Sequence, residues 1–92
     1  MANAIATIKI MPESPDVDMD KLQETVNEKV KSFTGSSDTK TEIEPIAFGL
    51  KALKVTFVMD EKLGSPDNLE EDITALEGVN SFEVIDVRRA VG

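Results

Sequence analysis

Apolar residues follow two different spacings along this chain, and the order in which these spacings alternate limits the possible folds. Apolar residues at every second position bury one face of a strand, whereas a recurrence every three or four positions buries one side of a helix. The two spacings succeed one another in the order β-α-β-β-α-β. That order predicts two β-α-β halves, each of which crosses over a helix and returns.

Four segments are predicted to be strands: residues 3–11, 38–47, 51–60 and 79–89. The second is polar and rich in threonine, and Pro45 interrupts it, which is typical of an edge strand. In the last segment, Phe82 and Val84 are predicted to share one face of the strand. Ile85 and Val87 are predicted to share the opposite face.

Two segments are predicted to be helices. Asp18 is a candidate N-cap for the first, and Gly35 ends it. Its apolar stripe consists of Met19, Leu22, Val26, Val30 and Phe33. The second begins with Ser65 as N-cap and Pro66 at the first helical position, and it ends at Gly78. Its stripe consists of Leu69, Ile73 and Leu76.

These elements predict an α+β fold, the ferredoxin-like sandwich, in which a four-stranded antiparallel sheet carries two helices on one face. The chain has 92 residues, enough for one domain and too few for two, so residues 1–92 are predicted to be a single domain. The fold by itself predicts no function, because many unrelated activities share it.

The composition excludes several classes of site. The chain has no cysteine and no histidine, which removes disulfides, thiolate or imidazole metal sites and the commonest general base. A net charge of -8 disfavours nucleic acid and anionic membranes as partners. The glycines form no phosphate-binding pattern, so no cofactor is predicted. The first ten residues resemble neither a signal peptide nor a membrane span, and a cytoplasmic location is predicted.

Carboxylates are the remaining candidates for chemistry. The run from Glu70 to Asp72 is interpreted as a solvated helix face. Asp16, Asp18 and Asp20 have the alternating spacing of a calcium loop, but the required glycine and distal glutamate are missing. No serine lies in a nucleophile elbow. The chain is therefore predicted not to be an enzyme.

Two features suggest a binding function. Residues 46–50 form an apolar turn, which is unusual because loops normally face water. From composition, Phe48 either folds back onto the core or projects as an anchor into a partner's pocket. Arg88 and Arg89 form a basic end on an acidic chain. They are either a solubilising tail or a contact with a partner's carboxylate or phosphate.

The sequence resembles archaeal translation elongation factor 1-beta over nearly its whole length. The matching blocks are ATIKIMPESPDVD at residues 6–18, EPIAFGLKAL at 44–53, LEGV at 76–79 and VIDVRR at 84–89. The resemblance implies a ferredoxin-like guanine nucleotide exchange domain. Its partner would be elongation factor 1-alpha, the GTPase that delivers aminoacyl-tRNA to the ribosome. It would act by protein binding in the cytoplasm, with no cofactor and no covalent chemistry.

The resemblance also implies site residues. In eukaryotic relatives, a phenylalanine in the matching turn inserts into the GTPase near its nucleotide, and that position is Phe48 here. The implied partner-binding residues are Pro45, Ile46, Phe48, Gly49 and Lys51, with Arg88 and Arg89 as a second contact. The eukaryotic domain also carries a lysine near its C-terminus that enters the magnesium site. This chain has no lysine after Lys62, so we predict that Arg88 or Arg89 partly substitutes.

Two other functions agree with the same fold. One is a regulatory domain that senses a small molecule or a metal at its helix ends, which predicts ligand-induced shifts in thermal stability. The other is a structural subunit of a translation complex, which predicts binding to elongation factor 1-alpha without faster nucleotide release.

Overall fold

The four strands form one antiparallel sheet in a computed structural model that describes residues 3–35, 39–64 and 66–90. The strands are β1 (Asn3–Pro12), β2 (Thr39–Pro45), β3 (Lys51–Asp60) and β4 (Val79–Ala90). Their order across the sheet is β2-β3-β1-β4, with β1 antiparallel to both of its neighbours. The predicted ferredoxin-like α+β fold is confirmed, and β2 is an edge strand as predicted.

The first helix, α1 (Met19–Thr34), begins and ends where the sequence predicts. Oδ1 of Asp18 accepts hydrogen bonds from the backbone N–H groups of Asp20 and Lys21, at 3.1 and 3.2 Å. Gly35 has φ 72°, and its N–H donates to the Lys31 carbonyl at 2.7 Å. Both helix ends are thus closed by the capping interactions that the residue types favour.

The second helix is shorter than predicted. A 3₁₀ turn (Pro66–Leu69) leads into α2 (Glu70–Thr74), which has only five residues. The backbone N–H of Leu76 donates to the Ile73 carbonyl at 3.0 Å, an i→i−3 bond that tightens the chain as the helix ends. Another 3₁₀ turn (Glu61–Leu63) follows β3. Ser65, the predicted N-cap, lies outside the described residues.

The core lies between the helices and one face of the sheet. It consists of apolar side chains from the strands and from the predicted stripes of both helices: Ala4, Ala6, Ile8, Ile10, Leu22, Val26, Val30, Leu53, Val55, Phe57, Met59, Leu69, Ile73 and Val79. Both helices therefore cover the same face. The opposite face of the sheet carries no helix and includes the Thr7–Thr56 side-chain hydrogen bond between β1 and β3, at 3.1 Å.

Strand β4 contains residues that β1 cannot match, because the register of the pair shifts twice, between Thr7 and Ile8 and between Met11 and Pro12. Ile8 pairs with Val84, whereas the preceding Thr7 pairs with Asp86, so Ile85 is an extra residue in β4. An extra residue of this kind is a β-bulge, which breaks the alternation of side chains between the two faces.

The bulge changes the predicted faces of β4. Val87 pairs with Ala6, which is fully buried beneath the helices. Directly paired residues of antiparallel strands share a face. Val87 therefore lies on the same face as Phe82 and Val84, and the prediction that it lies opposite them is wrong. The alternating sequence pattern contains no sign of the inserted residue.

Candidate partner-binding surface

Three connecting segments meet at the end of the sheet where β1 finishes and β3 begins. They are residues 13–18 after β1, the turn 46–50 between β2 and β3, and the turn 75–78 before β4. The backbone N–H of Glu13 donates to the Gly78 carbonyl at 2.8 Å, which joins the first segment to the third. We call this region the loop end of the sheet, and it holds most of the predicted partner-binding residues.

The turn between β2 and β3 has an unusual backbone. The N–H of Leu50 donates to the Ala47 carbonyl at 3.0 Å, and that of Ile46 donates to the Leu50 carbonyl at 2.8 Å. The two residues inside the turn, Phe48 and Gly49, have φ 56° and φ 79°. Two successive positive φ angles are typical of a type I′ turn, for which asparagine, aspartate and glycine are the favoured residues.

Phe48 is exposed and lies outside the core. Its side chain is 96% exposed, although phenylalanine is among the residues most often buried. It is also the one non-glycine residue with positive φ in the described part of the chain. A left-handed backbone costs such a residue roughly 1–2 kcal/mol. The alternative that Phe48 folds back onto the core is therefore wrong.

Phe48 stands beside further apolar and basic groups. Ile46 is 42% exposed, and Pro45 pairs with Lys51 at the base of the turn. Gly49 and Lys51 line a groove of about 330 Å³ whose other wall includes Pro15 and Val17. The structure thus brings the five predicted residues of this segment together on one exposed tip.

Arg88 and Arg89 lie at the other end of the sheet. They pair with Ile5 and Ala4, near the start of β1. Strand β3 has ten residues and runs the length of the sheet between the two ends. Ten residues in a strand span about 30 Å. The structure therefore does not join the arginines to the Phe48 tip.

Both arginines are already paired within the chain. Nε of Arg88 lies 2.9 Å from Oδ2 of Asp86, and Nε of Arg89 lies 2.8 Å from Oε1 of Glu61. Both pairs are solvated, since even the least exposed of the four side chains, that of Glu61, is 36% exposed. The second pair could not be found by sequence reasoning, because 28 residues separate its members.

The acidic candidates form no recognisable metal site. Within residues 3–35, 39–64 and 66–90, no group of three or more histidine, cysteine, aspartate or glutamate side chains could hold a metal ion. Asp18 caps α1, and Glu70, Glu71 and Asp72 are exposed in the first turn of α2. None of the helices in this part of the chain is long and apolar enough to cross a membrane.

Residues 5–90 match the family of EF-1 guanine nucleotide exchange domains. The chain belongs to that family. Among the relatives of this exchange domain, elongation factor 1-beta of Methanothermobacter thermautotrophicus is 45% identical over 89 residues, or 97% of this chain and 98% of the relative. Elongation factor 1-beta of Methanosphaera stadtmanae is 43% identical over 89 residues, again 97% of this chain and 98% of the relative. That of Methanococcus maripaludis is 41% identical over 87 residues, or 95% of this chain and 97% of the relative.

The match confirms the resemblance that the sequence blocks indicate, and it identifies the function as guanine nucleotide exchange. The matched range includes the Phe48 tip and both arginines.

Sequence reasoning missed the side chains around residues 13–18 and 75–78 that complete the loop end. The prolines at 12 and 15 and the glycine at 78 were the signals that loops lie there.

Proposed function

We propose that this exchange domain, residues 1–92 acting as a unit, promotes the release of GDP from elongation factor 1-alpha. The observation that carries the proposal is the state of Phe48, which is 96% exposed on a left-handed backbone. A large apolar side chain held away from the core at a cost in stability is typical of a functional position. In this proposal Phe48 is the anchor that enters the GTPase.

The turn is suited to deliver an anchor. Two backbone hydrogen bonds close it at 2.8 and 3.0 Å, and it joins two paired strands. A rigid tip loses little conformational freedom on binding, so less of the interaction energy is spent on ordering. Burial of a phenylalanine side chain supplies roughly 2–3 kcal/mol. Phe48 makes this gain nearly in full, because it is almost wholly exposed before binding.

The exchange requires only differential binding. An exchange factor binds the nucleotide-free GTPase more tightly than the GDP-bound form, and linkage then weakens GDP by the same free energy. No covalent step is needed, so the domain acts as a binding protein and not as an enzyme. It needs no cofactor, and it works in the cytoplasm, where its translation partner acts.

Arg88 and Arg89 are proposed as a second contact with the GTPase. Because they lie about 30 Å from the Phe48 tip, a partner that meets both must extend along the whole sheet. Each arginine would exchange an exposed ion pair within the chain for one with the partner. Such pairs contribute at most about 1 kcal/mol, so the exchange costs little.

The test follows the release of fluorescent GDP from purified elongation factor 1-alpha, with excess unlabelled GDP, at increasing concentrations of this protein. We expect the release rate to rise and then saturate. Absence of any acceleration would refute the proposal. Formation of a complex without acceleration would also contradict it, and would support a structural subunit instead.

A further inference from the structure

A second concave surface lies at the loop end, beside residues 13–18. It is an open cleft of about 530 Å³ between residues 13–18, the first two turns of α1 and the turn 75–78. No residue of the turn 46–50 lines it. The cleft is therefore separate from the surface assigned to Phe48.

The floor of the cleft is apolar and held by the core. Val17 and Leu76 pack against the buried cluster, and Leu22 belongs to it. The walls are fixed without an occupant, because Glu13 donates its backbone N–H to the carbonyl of Gly78 at 2.8 Å. The cleft is thus preformed, and a ligand need not order it.

The rim of the cleft is strongly acidic. Its charged lining consists of four carboxylates and one ammonium group: Glu13, Asp16, Asp18, Glu77 and Lys21. Asp18 accepts the capping hydrogen bonds of α1. In the part of the chain that the structure describes, the other three carboxylates form no ion pair. An occupant with positive charge would complement this rim.

We propose that this cleft receives a basic segment of the GTPase, with a lysine or arginine side chain inserted into it. This inference rests on the proposed function. The aliphatic stem of such a side chain can cover Val17, Leu22 and Leu76 while its charged end meets the carboxylates. A bare metal ion would leave the apolar floor uncovered.

The position of the cleft favours the same partner as that of Phe48. Residues 13–18 contact the turn before β4 through Val17, whose Cγ1 is 3.3 Å from the place where Gly78 would carry a β-carbon. They contact the Phe48 turn through Pro15, at 3.7 Å from the corresponding position on Gly49. A single segment thus separates the two surfaces, so a protein bound over Phe48 also faces the cleft.

The first test reverses the charge of the rim. The double variant Asp16→Lys with Glu77→Lys reverses two exposed charges of the rim. The matched control, Glu24→Lys with Glu28→Lys, makes the same change in net charge at exposed positions of α1 outside the cleft. Binding to nucleotide-free elongation factor 1-alpha is measured at low and high salt. We expect the cleft variant to raise Kd about tenfold at low salt, and the control to change it less than about threefold.

The second test makes the cleft more acidic. Lys21→Glu removes the only positive charge of the lining and leaves a glutamate three residues after the N-cap, a favourable position. Lys40→Glu, at an exposed position of β2 outside the cleft, is the control with the same change in net charge. We expect tighter binding for Lys21→Glu and a smaller effect for Lys40→Glu.

Because the chain contains no cysteine, a Glu77→Cys variant can carry a single photoreactive crosslinker. We expect it to crosslink to a lysine- or arginine-rich segment of the GTPase. Equal losses in the cleft and control variants, or crosslinks only to acidic or apolar segments, would overturn the proposal. Dimerisation of the protein that the cleft variant abolishes would also overturn it. If one of these contradicting results is found while the wild-type protein still accelerates GDP release, the proposed function stands and only the proposal for the cleft is refuted.

Discussion

Pro15 lies against Gly49, so that a β-carbon on Gly49 would stand 3.7 Å from the Cβ of Pro15. The same segment meets the turn before β4, where Val17 approaches Gly78. Both glycines have positive φ, which lets the backbone turn where the segment passes. Residues 13–18 therefore hold the Phe48 tip on one side and form the wall of the acidic cleft on the other.

These contacts predict an order of stability among three glycine-to-alanine variants. A β-carbon on Gly35 would have no atom within 4 Å, and one on Gly49 would make only ordinary van der Waals contact with Pro15 at 3.7 Å. Each of these two alanine variants should therefore lower the free energy of unfolding by about 1 kcal/mol, because φ is positive. Gly78→Ala should cost more, since its β-carbon would lie 3.3 Å from Cγ1 of Val17. Urea denaturation measures all three. Equal losses at Gly78 and Gly35 would show that Val17 moves aside without cost.

Removal of the aromatic tip should separate function from stability. In Phe48→Ala we expect the acceleration of GDP release to fall about tenfold or more, equivalent to about 1.4 kcal/mol. The thermal midpoint should hardly change, because Phe48 has 96% of its surface exposed. The matched control is Phe57→Ala in the core, which should lose about 3–5 kcal/mol of stability. A large loss of stability in Phe48→Ala would contradict its assignment as an anchor.

The fold was predictable from the sequence because its signals are local. The cap of α1 is an aspartate that bonds backbone groups two and three residues later. The bulge at Ile85 was not predictable, because its position depends on how β4 aligns with β1, a partner more than seventy residues away. The shortness of α2 was not predictable either. Its apolar residues have helical spacing, but 3₁₀ geometry replaces α-helix before Glu70, and the α-helix has only five residues.

The candidate site was predictable in part. Composition showed that residues 46–50 are an unusually apolar turn, and it left open whether Phe48 is buried. Whether the Phe48 side chain is buried or exposed depends on the φ angles of the turn, which composition does not determine. The acidic cleft was not predictable, because it joins Asp16 to Glu77 across about sixty residues of sequence. The ion pair of Arg89 with Glu61 is non-local for the same reason.

A second substitution at the tip should stabilise the protein while it removes function. Asparagine adopts a left-handed backbone more readily than phenylalanine and is favoured in type I′ turns. We therefore expect Phe48→Asn to raise the free energy of unfolding by about 1 kcal/mol and to lose the acceleration of GDP release. Urea denaturation and nucleotide release measure the two effects. Lower stability in Phe48→Asn than in the wild type would show that the turn is not strained.

The paired arginines predict a small effect on stability and a larger one on exchange. In a double variant, Arg88→Ala with Arg89→Ala, the lost ion pairs are exposed and should cost less than about 1 kcal/mol. If the arginines compete with magnesium in the GTPase, GDP release should slow, and the defect should grow with magnesium concentration. Asp86→Ala with Glu61→Ala is the control, since it breaks the same pairs but keeps both cations. Wild-type exchange by the arginine variant at every magnesium concentration would exclude their role as a second contact.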